Sequence, residues 1–145
     1  MSKKQKPSII FRASQFTPTQ WDTAEVKAKF ANHFVRFVES DFERRLFTKA
    51  FYERLSNTFG HIAHYNLDGF WNEFFTSLRG KCDFLEQTCK WPCWGSPEFT
   101  YSDVEQVIRS WVKGQHLHET YVQRHNEFVE QAERRLYEQL KEKFG

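Results

Sequence analysis

Apolar side chains recur every three or four residues over long stretches of the chain, and charged side chains fill most of the positions between them. Between residues 22 and 40 the apolar stripe consists of Val26, Phe30, Phe34, Phe37 and Val38. Because an α-helix turns once in about 3.6 residues, these side chains share one face and must be buried together. The pattern predicts a first helix that begins at an Asp22 N-cap, with Glu25 as its capping-box partner, and ends near Ser40.

The same periodicity predicts further helices in the middle of the chain. A second helical region covers residues 42–60, restarts at Thr48 and ends near a glycine, the usual residue after a helix C-terminus. Asn66 is expected to cap the short aromatic helix that follows. Gly80 is interpreted as the junction between that helix and the next one.

The last third of the chain carries the longest amphipathic pattern. Ser102 and Glu105 predict a capping box for a helix that ends at Gly114. The final helix is expected to cover residues 116–144, with apolar positions at Leu117, Tyr121, His125, Phe128, Ala132, Leu136 and Leu140. Since this stripe is not a strict heptad repeat, it favours packing within one domain, although both a monomer and a homodimer stay open.

Composition narrows the fold class. The 145 residues include 16 Phe, 5 Trp and 5 Tyr but only 6 Gly and 4 Pro, which argues against a turn-rich all-β fold. We therefore predict an all-α fold, a single compact domain of six or seven amphipathic helices with an aromatic-rich core and a long C-terminal helix. The helical domain is placed at residues 16–145, behind an N-terminal arm of residues 1–15.

The basic side chains are unevenly distributed, although the net charge of the chain is only +2. Lys3, Lys4 and Lys6 lie in the N-terminal arm, and no acidic residue occurs before position 22. We expect this arm to be disordered and able to contact phosphates by releasing their counterions. With aromatic rings that stack on bases, this makes a nucleic-acid-associated accessory protein the alternative function.

The chain has three cysteines, Cys82, Cys89 and Cys93, and no secretory signal pattern. An odd number of cysteines does not favour a disulfide framework, so reduced thiols and a cytoplasmic location are expected. No apolar run is long enough to span a bilayer, and no membrane partner is expected.

Zinc is the one cofactor that the residue types suggest. His61 and His64 are three residues apart, and Cys89 and Cys93 are four apart, so each pair would face one way on a helix. The order of the two pairs and the short histidine spacing depart from usual zinc motifs. The favoured interpretation is a helix junction in which the histidines bond carbonyl groups and Cys89 fills the core.

The chain lacks the motifs of phosphate-binding loops, dinucleotide folds, serine hydrolases, zinc proteases and EF-hands. A Cys93 nucleophile would need a nearby base and an oxyanion site, for which the sequence offers no local signature. No catalytic residue is therefore assigned, and the sequence favours a non-enzymatic protein. A zinc- or thiol-dependent enzyme that uses His61, His64, Cys89 and Cys93 is the least favoured alternative.

The irregular loop of residues 91–101 is the best candidate for a binding surface. It contains Trp91 and Trp94 on a segment stiffened by two prolines, with Tyr101 at its end and Tyr65 as a further candidate. Large aromatic side chains dominate the energetics of protein interfaces, although these rings could instead fold back over the core. The favoured hypothesis is a small interaction or regulatory module that binds a protein partner through this loop.

Overall fold

The computed structural model describes residues 10–58, 66–90 and 95–144, except for the side chain of Asn57. These residues form six α-helices, which are α1 (Ala24–Glu39), α2 (Lys49–Thr58), α3 (Leu67–Phe74), α4 (Leu78–Lys90), α5 (Ser102–Gly114) and α6 (Leu117–Phe144). Two short 3-10 helices, Ala13–Gln15 and Arg44–Leu46, precede α1 and α2. The prediction of a single all-α domain with a long C-terminal helix is confirmed.

Helix α1 supplies the centre of the core, and its predicted apolar stripe is buried from Phe30 to Val38. The ring of Phe37 lies between 5.1 and 5.6 Å from four other phenylalanine rings, those of Phe42, Phe47, Phe51 and Phe75. Two of these pairs, those with Phe42 and Phe75, meet edge to face, an arrangement that adds roughly 0.5–1.5 kcal/mol per pair beyond the burial of apolar area.

Helix α4 connects three other helices, because it packs against α3, α5 and α6. The prediction of a junction at Gly80 is wrong, since this glycine lies inside the first turn of α4. A Cβ atom there would lie 2.8 Å from the carbonyl oxygens of both Glu73 and Phe74. Glycine is therefore required for the close approach of α4 to the end of α3.

The predicted helix starts are confirmed where the cap is a local interaction. Asn66 caps α3 by accepting a hydrogen bond from the Gly69 N–H, and Thr48 accepts one from the Phe51 N–H at 3.1 Å before α2. The Asp22 cap is wrong, because Thr23 caps α1 by accepting a hydrogen bond from the Val26 N–H at 3.1 Å.

The capping box predicted at the start of α5 is also wrong. Ser102 is the first residue of α5 and follows Tyr101, which has no capping side-chain bond. The carboxylate of Glu105 instead lies in the core and accepts a hydrogen bond from the Arg109 guanidinium at 2.7 Å. Burial raises the pKa of Glu105 to about 7, against the influence of Arg109.

Part of the predicted N-terminal arm packs on the domain. Phe11 is buried, and its backbone N–H and C=O groups both bond to the side-chain amide of Asn32, at 3.0 and 2.9 Å. Residues 10–15 thereby lie against α1, whereas residues 1–9 lie outside the described part of the chain.

Among the residues that the structure describes, it is the beginning of α6 that packs on the domain. Tyr121 is buried, with its ring centroid 5.5 Å from that of Phe42, whereas every residue from Asn126 to Phe144 is exposed. The expectation that the apolar stripe packs within the domain therefore holds for the first turns of α6 and is wrong for the rest.

Candidate functional site

Two turns each carry an exposed aromatic side chain, and one network of polar side chains holds both turns in place. The first lies in the segment that leads into α1, where the Thr19 hydroxyl accepts hydrogen bonds from the N–H groups of Trp21 and Asp22, at 3.1 and 2.9 Å. This local turn closes with a bond from the Thr19 N–H to the Asp22 carbonyl. Trp21 lies at its tip and is 70% exposed.

The second turn leads into α5. The Ser96 carbonyl accepts hydrogen bonds from the N–H groups of Phe99 and Thr100, both at 3.0 Å. Gly95 begins the turn with a φ of +73°, and a Cβ atom there would lie 2.8 Å from the Thr100 side chain. Glycine is needed here for both reasons, and the turn leaves Phe99 65% exposed.

Lys27 on α1 anchors the second turn to the domain. Its completely buried ammonium group donates to the carbonyl oxygens of Pro97 and Thr100, both at 2.9 Å, and to the Asp103 carboxylate at 3.0 Å. An ammonium has three donors and no acceptor, so these three partners satisfy it completely. Asp103 also accepts a hydrogen bond from the Thr17 N–H at 3.0 Å, which ties the first turn to the second.

Tyr101 joins the two turns a second time. Its hydroxyl donates to the Asp22 carboxylate at 2.7 Å, and the Arg54 guanidinium contacts the same carboxylate at 2.7 Å and the Tyr101 oxygen at 3.0 Å. Burial disfavours the charged form of Asp22, but the bonds from Tyr101 and Arg54 outweigh it and lower the pKa of the carboxyl group. Burial and the bond to Asp22 raise the pKa of Tyr101, so its phenol keeps the proton.

We call Asp22, Lys27, Arg54, Tyr101 and Asp103 the Tyr101 network, and the exposed rings of Trp21 and Phe99 the Trp21–Phe99 surface. The network fixes two irregular segments that are about 80 residues apart in sequence onto α1, α2 and α5. Its charges pair with one another, so each of the two exposed rings lies on a turn that hydrogen bonds fix to the domain. This arrangement is suited to non-covalent recognition of apolar groups.

Of the four residues predicted to bind a partner, the structure describes Tyr101. Its side chain is only 5% exposed and supports the turn from inside the domain. Tyr65, Trp91 and Trp94 lie outside the described residues, so their part in the surface stays a prediction. Sequence reasoning did not single out Trp21 or Phe99, although each lies within three residues of a proline, Pro18 or Pro97, which is the signal that could have found them.

The predicted zinc ligands are represented only by Cys89, because His61, His64 and Cys93 lie outside the described residues. Cys89 is half-buried, and burial raises the pKa of its thiol, as it does for Cys82. Within the described ranges, no three His, Cys, Asp or Glu side chains are grouped so that they could hold a metal ion. The zinc site stays a prediction.

The phosphate-binding arm, with Lys3, Lys4 and Lys6, also lies outside the described residues. Across the part of the chain that the structure covers, none of the helices is both long and apolar enough to cross a membrane.

Comparison with known proteins adds no assignment. No protein-family model matches the chain, and no curated protein or solved structure is similar to it.

Proposed function

We propose that this chain is a non-enzymatic interaction module that binds a protein partner through the Trp21–Phe99 surface and the adjoining aromatic loop of residues 91–101. The observation that carries the proposal is the exposure of two large aromatic rings on turns held by a buried network. Exposed large aromatics are unusual in a protein that buries most of its Phe side chains, and such rings are typical of interface hot spots.

The rigidity of the two turns supports the same function. A partner that binds a flexible loop must offset the entropy lost when the loop becomes ordered, whereas these turns are already fixed by Lys27 and Tyr101. Preorganised aromatic rings therefore leave more of their burial energy for affinity. The partner that fits them is a protein face with apolar pockets of the size of an indole and a phenyl ring.

The charge distribution separates this proposal from nucleic-acid binding. Asp22, Lys27, Arg54 and Asp103 pair within the domain, so association through the Trp21–Phe99 surface should depend weakly on salt. Binding through phosphate contacts would instead weaken steeply as the salt concentration rises.

The proposal is tested by site-specific photo-crosslinking in cells of the source organism. A benzophenone amino acid is placed at Trp21 or Phe99, and at the exposed Asn72 of α3 as the matched control. We expect one protein to be cross-linked from both turn positions and not from position 72. Equal cross-linking from all three positions, or none from the two turns, would contradict the proposal.

The cross-linked protein is then purified and its affinity for the chain measured. Trp21→Ala and Phe99→Ala should each weaken binding by about tenfold or more, because each removes a hot-spot ring, and Asn72→Ala should have no effect. Since both rings are exposed, the unfolding temperature should not change. Binding only to a single-stranded oligonucleotide, with a steep salt dependence, would favour the accessory-protein alternative.

A further inference from the structure

The last two-thirds of α6 leaves the body of the domain. The helix is held at its beginning, where the buried Tyr121 donates a hydrogen bond to the Asp41 carboxylate at 2.6 Å and Arg124 contacts the same carboxylate. All residues from Asn126 to Phe144 are exposed, which corresponds to roughly 28 Å of helix at 1.5 Å per residue. Most of the stability of a helix in a protein comes from the packing of one apolar face.

The exposed part of α6 has one apolar face. Helical spacing places seven apolar side chains on one half of the circumference, and these are Phe128, Val129, Ala132, Leu136, Tyr137, Leu140 and Phe144. The six large ones are exposed hydrophobic side chains of the domain. Glu133, Gln139 and Lys143 lie among them, and the opposite half carries only charged and amide side chains. An exposed apolar face of this size marks a surface that another molecule covers.

The charges of this part of α6 indicate which molecule covers it. Residues 126–144 contain five acidic side chains (Glu127, Glu130, Glu133, Glu138 and Glu142) and four basic ones (Arg134, Arg135, Lys141 and Lys143). Helices that lie on anionic lipid surfaces carry an excess of Lys and Arg on the polar face, so this balance argues against a membrane. A mixture of both signs instead suits another helix with a complementary mixture.

Leu136 lies midway along residues 128–144 and near the middle of the apolar half of the circumference. A second copy of α6 that runs antiparallel, with a twofold axis at Leu136, therefore places the two apolar halves against each other, and Leu136 meets its own equivalent.

The body of the domain determines the direction of pairing. Tyr121 lies seven residues before Phe128, on the same face of α6, and that face is already covered by the body at Tyr121. Parallel helices would require both bodies to occupy the space between the two helices. Antiparallel helices overlap only over residues 128–144, beyond the point where the body ends.

The area is sufficient for a stable pair. The six large exposed side chains offer on the order of 600 Å² per copy. A pair that covered these side chains completely would bury up to about 1,200 Å², which reaches the lower limit for specific protein interfaces. We infer that α6 is a dimerisation helix, through which two copies of this chain associate as an antiparallel helix pair centred on Leu136.

The inference is tested by the mass of the full chain in solution. Sedimentation equilibrium over about a hundredfold range of concentration should show conversion of the monomer into a species of twice the mass. Leu136→Glu places two carboxylates against each other at the twofold axis and should weaken association at least tenfold. Gln131→Glu adds the same side chain to the opposite face of the same helix and should leave association unchanged.

Several outcomes would overturn the inference. The chain could stay monomeric over the whole concentration range, or its dimer could survive Leu136→Glu. A monomer that sediments with vesicles of phosphatidylserine and phosphatidylcholine would identify the apolar face of α6 as a lipid-binding face instead. Because Leu136 is exposed and Glu is a good helix former, circular dichroism should show that the variant keeps its fold.

Discussion

The Tyr101 network and a second network around Tyr121 use the same four residue types and differ in how far they are buried. In the second, which we call the Tyr121 network, Tyr121 and Arg124 of α6 and Lys81 of α4 all contact Asp41. One network fixes the base of the Trp21–Phe99 surface, and the other fixes the base of the projecting α6.

The geometry of the two networks reflects this difference in burial. The Lys27 side chain is 0% exposed and that of Lys81 is 15% exposed, while the Asp22 and Asp41 side chains are 17% and 47% exposed. The guanidinium–carboxylate distance is 2.7 Å for Arg54 and Asp22 but 3.3 Å for Arg124 and Asp41.

The comparison shows that residue type alone does not determine the energetic weight of an ion pair. Water screens the charges around Asp41, so the Tyr121 network should contribute little beyond its hydrogen bond from Tyr121. In the Tyr101 network, removal of one partner leaves buried polar groups without either water or protein partners, which costs much more. Substitution of equivalent residues in the two networks measures this difference directly.

The largest effect is expected for the two lysines. Lys27→Met should reduce the free energy of unfolding by about 3–5 kcal/mol, because the Pro97 and Thr100 carbonyl groups and Asp103 lose their buried donor. Lys81→Met should cost about 1 kcal/mol or less. Urea unfolding of both variants checks the prediction, and equal losses would show that burial is not the deciding factor.

The second-largest loss of stability is expected for the two tyrosines. Tyr101→Phe removes the hydroxyl that bonds Asp22 and Arg54 and should cost roughly 2 kcal/mol, since hydrogen bonds to charged groups contribute about 1.5–3 kcal/mol. Tyr121→Phe should cost about 1 kcal/mol, because water can replace the hydroxyl at the more exposed Asp41. A larger loss for Tyr121→Phe, in thermal or urea unfolding, would reverse the proposed order.

The same two variants predict a pH dependence. The pKa values of Asp22 and Asp41 are both lowered in the folded state, since hydrogen bonds from the tyrosine and arginine outweigh the effect of burial. Each carboxylate therefore contributes stability above the pKa of an unfolded Asp, about 3.9, and that stability is lost as the pH falls through the folded pKa. The difference between the original chain and Tyr101→Phe should stay constant above about pH 5 and shrink as the pH falls below about 4.

Tyr121→Phe should show the same loss with smaller amplitude, because the Asp41 side chain is nearer to water. Urea unfolding at several pH values, together with NMR titration of the two carboxyl groups, measures both effects. A difference that stays constant with pH would mean that the hydroxyls do not stabilise the charged carboxylates.

The smallest effect is expected at the exposed arginine. Arg124→Gln should change the free energy of unfolding by roughly 0.5 kcal/mol or less, and the change should disappear in about 1 M salt, where charges are screened over a few ångströms. The matched Arg54→Gln should reduce the free energy of unfolding by more than Arg124→Gln does, and most of this loss should persist in about 1 M salt. The reason is that Arg54 contacts the partly buried Asp22 and Tyr101. Equal salt sensitivity of the two variants would argue against this distinction.

The candidate surface was less predictable than the helices. Asp22 was expected to cap α1, and Tyr101 to be exposed for a partner, yet each is the hydrogen-bond partner of the other. The two residues are 79 positions apart, and no local pattern indicates such a contact. The exposure of Trp21 and Phe99 follows from the same network, because the inward direction of Tyr101 and Lys27 fixes how the two turns face solvent.

The sequence by itself determined the all-helical class, the presence of most helices and the aromatic core, because periodicity and local caps such as Asn66 act within a few residues. Only the tertiary structure decided which of several suitable polar side chains caps a helix and which pairs across the domain. It also decided where the body stops covering α6. An apolar stripe indicates that a face must be covered, but whether the same domain covers it depends on how far the neighbouring helices reach.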